Sequence, residues 1–329
     1  MEQRNKNKSN RVRGLLIKLS IASLALWFMY EQVFEKVPVR QLTDEYVIIF
    51  SRPAKIGRLI VIFMLMLINW SVEAVKWKMM IAKIERVSFV KSLEAVFSGL
   101  TISFFTPNRI AEYAGRVFHL KSADRIQATL ITVVENLSQL LVTIIAGSIG
   151  LLFYLHDYVK MDGYFFGGAA ALILLFVFAV LLVFLNVSVL GSLPGRIRWM
   201  KSWVRYLEVF GYYSNRELVR VIFLALLRYL IFTTQFYLLL QLFDVRVAYP
   251  VALLMISMIF YVMSFVPTIV LTEIGVRGAV ATYFFGQVTD ELPSVLNATL
   301  SLWLINLVIP ALAGAVFVFM FNLEKRKTA

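Results

Sequence analysis

The chain has 329 residues, of which 60% are hydrophobic, 14% aromatic and only 16% charged. This composition is too apolar for a soluble domain with an ordinary polar surface. It predicts an all-α, polytopic membrane protein. Cysteine is absent, which excludes disulfides, thiolate metal sites and cysteine nucleophiles. The net charge of +13, from 33 Lys and Arg against 20 Asp and Glu, serves mainly as a guide to orientation in the membrane.

Membrane spans are the first elements to be placed along the chain. A helix needs about 20 largely apolar residues to cross the hydrocarbon core. Six segments meet this requirement, near residues 15–34, 57–77, 127–155, 163–187, 220–242 and 294–321. The first has no small-residue cleavage site, so we predict a retained anchor and not a removed signal peptide. Because the loops are short, residues 1–329 are predicted to form a single integral membrane domain.

Lysine and arginine are distributed unevenly between these spans. They are concentrated in the basic N-terminus (1–14), in 76–91, in 196–220 and in the tail (322–329). By the positive-inside rule these segments are cytoplasmic. Both termini are therefore predicted to lie in the cytoplasm.

Two apolar segments are predicted to enter and leave the membrane by the same face. Lys91 and Arg125 are both placed in the cytoplasm, so 93–124 must form a hairpin that returns to that side, and by the same reasoning 250–286 returns to the exterior. Pro107 and Pro267 stop the helices, because proline lacks a backbone donor and its predecessor avoids the α region. The pattern of span, hairpin and span occurs in 57–155 and again in 220–321 with opposite orientation. This is an inverted repeat, which in transporters places the binding site near the membrane midplane.

Each predicted hairpin carries a glutamate followed four residues later by an arginine, Glu112 with Arg116 and Glu273 with Arg277. On a surface helix such a pair is only an i,i+4 salt bridge worth roughly 0.2–0.5 kcal/mol. Inside a bilayer each ionisable residue costs roughly 2.5–3.5 kcal/mol, so the recurrence favours a polar cavity that binds a head group, with Arg109 as a further ligand. The glycines between the charges, Gly115 and Gly275, are predicted to break the helices together with the two prolines.

Single polar residues inside the spans have two interpretations. They either line the same cavity or hold helices together by hydrogen bonds, and the sequence leaves both open. The residues concerned are Asn69, Glu73, Glu135, Asn136, Gln139, Arg228, Gln235 and Asn306. For Arg228, snorkelling to the interface is a further alternative.

Three motifs carry a resemblance to a known family. They are residues 106–116 (Thr-Pro-Asn-Arg-Ile-Ala-Glu-Tyr-Ala-Gly-Arg), Glu135 with Asn136, and Pro267 followed by Glu273. Together they resemble the transmembrane region of lysylphosphatidylglycerol synthase, the flippase-like domain family. The resemblance implies a bacterial or archaeal cytoplasmic membrane protein whose relatives move aminoacylated phospholipids between leaflets. Those relatives also carry a soluble aminoacyl-transferase domain that is not found in this sequence, so synthesis of the modified lipid is not expected.

The resemblance also suggests which residues contact the substrate. Family positions that match here are Arg109, Glu112, Arg116, Glu135 and Glu273. Two family arginines are replaced by Asn136 and Asn306. If those arginines contact an anionic head group in the relatives, the substrate of this protein differs in charge.

A basic amphipathic segment, 194–218, is predicted to lie in the membrane interface against anionic lipid. Because the topology holds its basic residues against the membrane, we predict no nucleic-acid binding. Four tryptophans are expected to be interfacial anchors. They are Trp27, Trp77, Trp199 and Trp203.

The predicted function is a lipid flippase or a transporter of a lipid-linked substrate, with membrane phospholipids as partners. The alternative is an intramembrane lipid-modifying enzyme or its non-catalytic membrane partner, and a transporter of small soluble anions comes third. No catalytic constellation, metal site or cofactor site is predicted, since His119 and His156 fall on opposite faces and no His/Glu spacing matches a metal site. A homo-oligomer is left open.

Overall fold

All regular secondary structure in the described part of the chain is helical. The computed structural model describes residues 39–104, 106, 109–188, 204–268 and 270–327. The helices are α1 (Val39–Ser51), α2 (Pro53–Ile81), α3 (Phe89–Ser103), α4 (Ala111–Val117), α5 (Arg125–Asp157), α6 (Gly163–Leu185), α7 (Val204–Leu207), α8 (Asn215–Leu242), α9 (Tyr249–Phe265), α10 (Val270–Phe285), α11 (Leu292–Trp303) and α12 (Ile309–Lys327). A 3₁₀ segment (Glu208–Tyr212) follows α7, and a π-helical segment (Leu304–Val308) joins α11 to α12.

Five of these helical stretches are long and apolar enough to cross a membrane. They are α2, α5, α6, α8 and the continuous stretch Leu292–Phe319, which combines α11, the π segment and most of α12. The polytopic helical class is therefore confirmed, with each of the five within a few residues of its predicted position. Three predicted features lie outside the described residues. They are the remaining predicted span (15–34), Pro107, and the part of the interfacial segment before Val204.

Polar caps and prolines fix where the helices begin. Ser88 accepts a hydrogen bond from the Lys91 N–H at the start of α3, and Asp124 caps α5. Ser214 and Glu217 form a reciprocal capping box at the start of α8. Each cap satisfies backbone donors that the first turn leaves free. Proline occupies the first turn of α2, α9 and α11, where no donor is needed.

The first hairpin, α3 with α4, starts from one end of the bundle. There the Glu85 carboxylate, between α2 and α3, accepts hydrogen bonds from the N–H groups of Lys121, Ser122 and Ala123, just before α5. The Tyr213 hydroxyl, just before α8, donates to a carbonyl of α2 at the same end. The base of this hairpin is thus tied to the ends of α2, α5 and α8.

The second hairpin, α9 with α10, starts from the opposite end. Lys55 at the start of α2 pairs with Asp244 at the end of α8, with Nζ and Oδ2 2.6 Å apart. Gln287, which follows α10, donates to the hydroxyl of Tyr154 near the end of α5. Pro267 lies in the turn between α9 and α10, as the sequence predicted.

Helix packing repeats between the two halves. The first arm of each hairpin packs on the last long helix of the other half: α3 on α12, and α9 on α5. Both contacts use glycine for close approach, since a Cβ on Gly314 would strike α3, and one on Gly150 would strike Ser257 of α9. The two hairpins thus make corresponding contacts, and the inverted repeat itself stays a prediction.

The helix through Asn306 widens into a π turn at Leu304–Val308. Pro310 explains the widening, because its ring has no N–H and would clash with the carbonyl four residues earlier in a regular α-helix. A π turn accommodates the extra width and recurs at functional sites. It faces α2.

Helix α6 lies at the periphery of the bundle. Only 6% of its most apolar 18-residue stretch is buried inside the bundle, and the mean hydropathy of that stretch is 3.1. It packs mainly on α5. Such a uniformly apolar, exposed surface is suited to contact with lipid.

Candidate functional site

A cavity of about 680 Å³ lies between the two hairpins and helices α2, α5, α8 and α11. Its charged lining residues are Glu73, Arg109, Glu112, Arg228, Glu273 and Arg277. Uncharged polar lining residues include Asn69, Asn136, Gln139 and Asn306. Much of the remaining wall is apolar, with Phe232, Phe260, Met263, Phe265 and Trp303 among its members.

Arg116 is the centre of the first ion-pair cluster and is completely buried. Its Nη2 lies 2.6 Å from Glu73 Oε1 and also contacts Glu112, while its Nη1 lies 3.1 Å from Glu135 Oε2. One guanidinium therefore binds carboxylates from α2, α4 and α5. The predicted Glu112–Arg116 pair exists, but it belongs to a larger network.

Lys76 completes the first cluster and corrects the sequence interpretation. It was predicted to belong to a cytoplasmic basic segment, yet it is completely buried. Its Nζ lies 2.8 Å from Glu135 Oε1 and 3.1 Å from Glu73 Oε2. Lys76 lies on the face of α2 that points into the bundle, so its carboxylate partners replace the water that it would otherwise need.

Arg228 of α8 does not snorkel. Its Nη1 lies 2.5 Å from Glu73 Oε2, and its Nε donates to Asn69 at 3.1 Å. The guanidinium also lies 5.7 Å from the ring centre of Trp70. Arg228 thus links α8 to α2 at the wall of the cavity.

Glu273 is the centre of the second ion-pair cluster. Its Oε1 pairs with Arg277, one turn later in α10, and its Oε2 lies 2.7 Å from Arg109 Nη2 in the turn of the first hairpin. The Glu273 side chain is 7% exposed, whereas that of Arg109 is 33% exposed. This carboxylate therefore joins the tips of the two hairpins across the cavity.

Arg109 adopts an uncommon backbone conformation, with φ of 56°. This left-handed region is disfavoured for residues with a Cβ. The turn places the guanidinium in the cavity opposite α10. Strain of this kind is held only where the surrounding structure requires it, and it concentrates at functional sites.

The two clusters are not electrically balanced. They contain the cations Lys76, Arg109, Arg116, Arg228 and Arg277 and the carboxylates Glu73, Glu112, Glu135 and Glu273. The first cluster is neutral, and the single excess positive charge belongs to the second. The cavity is thus suited to an anion beside Arg109 and Arg277.

The remaining predicted site residues have different positions. Asn136 and Asn306 line the cavity, whereas Glu135 lies behind the wall with Arg116. Asn136 donates to the Thr132 carbonyl of its own helix at 3.1 Å, and Asn306 donates to Gln235 of α8 at 2.9 Å. Both asparagines are therefore held through their nitrogen atoms.

The predicted glycine breaks are wrong. Gly115 lies inside α4 and Gly275 inside α10, and neither has a positive φ. Gly115 instead permits close packing, since a Cβ there would lie 2.6 Å from the Gly99 Cα of α3. A Cβ on Gly275 would meet nothing within 4 Å. In the second hairpin the chain turns at Pro267, where the backbone donor is missing, and not at Gly275.

Trp77 is also not an interfacial anchor. It is completely buried, and its indole N–H donates to the Thr132 hydroxyl at 3.1 Å.

Sequence reasoning named Glu73 only as one of several polar residues in the spans. Its spacing from Lys76 and Trp77 on α2 indicates a buried polar face, which could have been found from helical periodicity.

These features define an all-helical, polytopic membrane protein with a charged cavity within its helical bundle. A family model described as the lysylphosphatidylglycerol synthase TM region matches residues 15–314. The chain belongs to this family. No individual curated protein matches it.

Proposed function

We propose that the protein moves a lipid, or a lipid-linked substrate, with an anionic phosphate-containing head group across the cytoplasmic membrane. The observation that carries this proposal is the carboxylate of Glu273, which is shared by Arg109 and Arg277 from different hairpins. An anionic head group can take the place of Glu273 on either guanidinium. The planar guanidinium binds phosphate through two oxygens at once.

The charge balance supports an anion over a cation. The second cluster holds two arginines against one carboxylate. A buried charge without a partner is costly, so a phosphate at this position is stabilised by the arginines and stabilises them in turn. A cationic ligand would add to the existing excess of positive charge.

The apolar wall supports a lipid over a small soluble anion. Phe260, Met263 and Phe265 of α9 line the cavity beside the charged residues. Phe265 is 57% exposed, so this apolar wall is accessible to a ligand. A head group can lie in the cavity while its acyl chains leave along this surface into the bilayer.

The position of the cavity supports transport. Arg109 belongs to the turn of the first hairpin, and Glu273 and Arg277 belong to the second, which enters the bundle from the opposite end. A ligand bound between them acts on both halves of the fold. Broken helices that meet at a central site are the arrangement used for alternating access in secondary transporters.

The transport assay uses proteoliposomes with fluorescent acyl-labelled phosphatidylglycerol and a membrane-impermeant quencher. We expect Arg277→Gln and Glu273→Gln to lose most of the native leaflet exchange. Arg246→Gln, at an exposed position between α8 and α9, is the control and should exchange lipid at the native rate. Equal exchange in all four proteins would contradict the proposal, and a chemically new lipid recovered from the vesicles would favour the enzyme alternative.

The proposed orientation places both termini in the cytoplasm and the basic segment 194–218 against anionic lipid on that side. Because the chain has no cysteine, single cysteines can be introduced directly. Lys121→Cys and Asp290→Cys are both exposed and lie at opposite ends of the bundle. We expect an impermeant maleimide added to whole cells to label only Asp290→Cys, and the reverse pattern would overturn this orientation.

A further inference from the structure

Several buried polar atoms of the cavity lining have no hydrogen-bond partner among the described residues. They are Nε1 of Trp70, Nε1 of Trp303, Oδ1 of Asn306 and Nε of Arg277. Buried polar side-chain atoms are otherwise almost always hydrogen-bonded. Their concentration at one cavity indicates a ligand that supplies the missing partners.

The free oxygen of Asn306 follows from a chain of hydrogen bonds. A backbone carbonyl only accepts, so the Ile62 carbonyl fixes the Gln235 side chain with its nitrogen toward α2 at 3.0 Å. The Gln235 oxygen then faces Asn306, which must present its nitrogen at 2.9 Å. The Oδ1 of Asn306 is therefore left as an acceptor, on a side chain that is only 6% exposed.

The backbone holds Asn306 in this position. Asn306 lies within the π segment, and its nitrogen also donates to the Leu302 carbonyl at 3.2 Å. Trp303, three residues earlier, lies at the start of the same segment and also lines the cavity. An acceptor and an indole donor are thus supplied by neighbouring positions of one helix.

Trp70 supplies a second indole donor from α2. It is 7% exposed and packs edge-on against Phe97, with ring centres 5.6 Å apart. Arg228 lies over its ring. These contacts hold the indole in place, and its buried N–H has no hydrogen-bond partner among the described residues.

We propose that Trp70, Trp303 and Asn306 form a neutral subsite that binds free hydroxyl groups of the head group. This inference rests on the proposed function, in which Arg109 and Arg277 bind the phosphate. A hydroxyl accepts from an indole N–H and donates to an amide oxygen, whereas an ammonium cannot accept and an alkyl group does neither. The substrate class is thus a phosphodiester linked to a polyol or a sugar.

The test compares two lipids of equal charge, phosphatidylglycerol, which has free hydroxyls, and phosphatidylethanol, which has none. Binding to the purified protein in lipid nanodiscs is measured by native mass spectrometry, and leaflet exchange is measured in proteoliposomes. We expect the native protein to prefer phosphatidylglycerol by about tenfold in binding, the effect of one or two hydrogen bonds. Asn306→Leu should reduce the preference to about onefold to threefold.

Asn186→Leu is the matched control, because Asn186 is an exposed asparagine at the end of α6. It should keep the native preference. Trp303→Phe tests the subsite independently, since it removes the N–H and keeps an aromatic ring, and it too should lower the preference.

The possible outcomes separate the subsite from the proposed function. Equal binding of both lipids by the native protein, or an unchanged preference in Asn306→Leu and Trp303→Phe, overturns the subsite, and lipid exchange could still be present. Selective binding that is lost in these variants, without any exchange, supports the subsite and contradicts transport. Failure to bind either lipid overturns the subsite.

Discussion

The two hairpins carry the same pair of charges in different surroundings. In the first, Arg116 is completely buried and is bound by three carboxylates, with Lys76 and Arg228 completing a neutral cluster. In the second, Glu273 is shared by two arginines, one of which is a third exposed. Arg116 of the first pair thus belongs to the buried core, whereas both residues of the second pair line the cavity, where we propose that a ligand binds.

The hairpins also differ in how their helices pack. Helix α4 has only 7 residues, and Gly115 lies directly against Gly99 of α3. Helix α10 has 16 residues, and its corresponding Gly275 faces open space. The first hairpin is therefore the more closely packed of the two at these glycines.

The largest expected effect tests the core role of Arg116. Arg116→Gln would leave Glu73, Glu112 and Glu135 with too little positive charge, and removing one partner of a buried ion pair costs roughly 3–5 kcal/mol. Arg277→Gln removes an arginine from a cluster with excess positive charge and should cost clearly less. Thermal unfolding of the purified proteins in detergent measures both. Equal unfolding temperatures for the two variants would contradict the difference between the hairpins.

The next effect tests the packing difference. Gly115→Ala forces α3 and α4 apart, and overpacking of this kind costs roughly 1–3 kcal/mol. Gly275→Ala adds a methyl group in open space within a helix, where alanine is favoured over glycine by roughly 0.5–1 kcal/mol. The same unfolding measurement should therefore show a loss for the first variant and no loss for the second. A loss of stability of similar size in both variants would contradict the difference in packing between Gly115 and Gly275.

A smaller effect concerns the contact between the hairpins. A double-mutant cycle with Arg109→Gln and Glu273→Gln should give a coupling free energy in the lower part of the range of roughly 0.5–3 kcal/mol, because solvent screens the partly exposed Arg109. Arg109→Gln combined with Arg216→Gln serves as the control and should be additive. Additivity in the first cycle would mean that Arg109 and Glu273 do not stabilise each other.

The smallest effect concerns the base of the first hairpin. Burial alone would raise the pKa of Glu85, but hydrogen bonds from the N–H groups of Lys121, Ser122 and Ala123 outweigh it and hold the pKa below its ordinary value. Because the folded pKa is lowered, this stabilisation is complete above the ordinary glutamate pKa of about 4.3 and is lost as the pH falls below it.

Glu85→Gln should therefore lower the unfolding temperature slightly at pH 7 and have no such effect at the acid end of the range. Unfolding temperatures from pH 7 to pH 3 for the native chain and the variant check this expectation. Asp244→Asn at the base of the second hairpin is the comparison, since its side chain is 64% exposed. A difference at pH 7 that persists at pH 3 would contradict a role for the ionised carboxylate.

Parts of this arrangement could be predicted from the sequence, and others could not. Apolar runs located the spans, Pro267 located a turn, and the recurrent charges located residues of the cavity such as Glu112 and Glu273. Two further ion-pair partners of Arg116 could not be predicted, because Glu73 and Glu135 lie on helices 43 and 19 residues away in the chain. Lys76 was wrongly predicted to be cytoplasmic, because the positive-inside rule counts basic residues and does not show which face of a helix they occupy.

The sequence by itself determined that this chain is a helical membrane protein with intramembrane charges beside broken helices. The length of an apolar segment and the position of a proline are local properties, so they can be read from the sequence without knowledge of the fold. Only the tertiary structure decided which charges neutralise one another and which cluster carries an excess charge. That outcome depends on how helices distant in the chain meet, because the energy of a buried charge is set by the partners within a few ångströms of it.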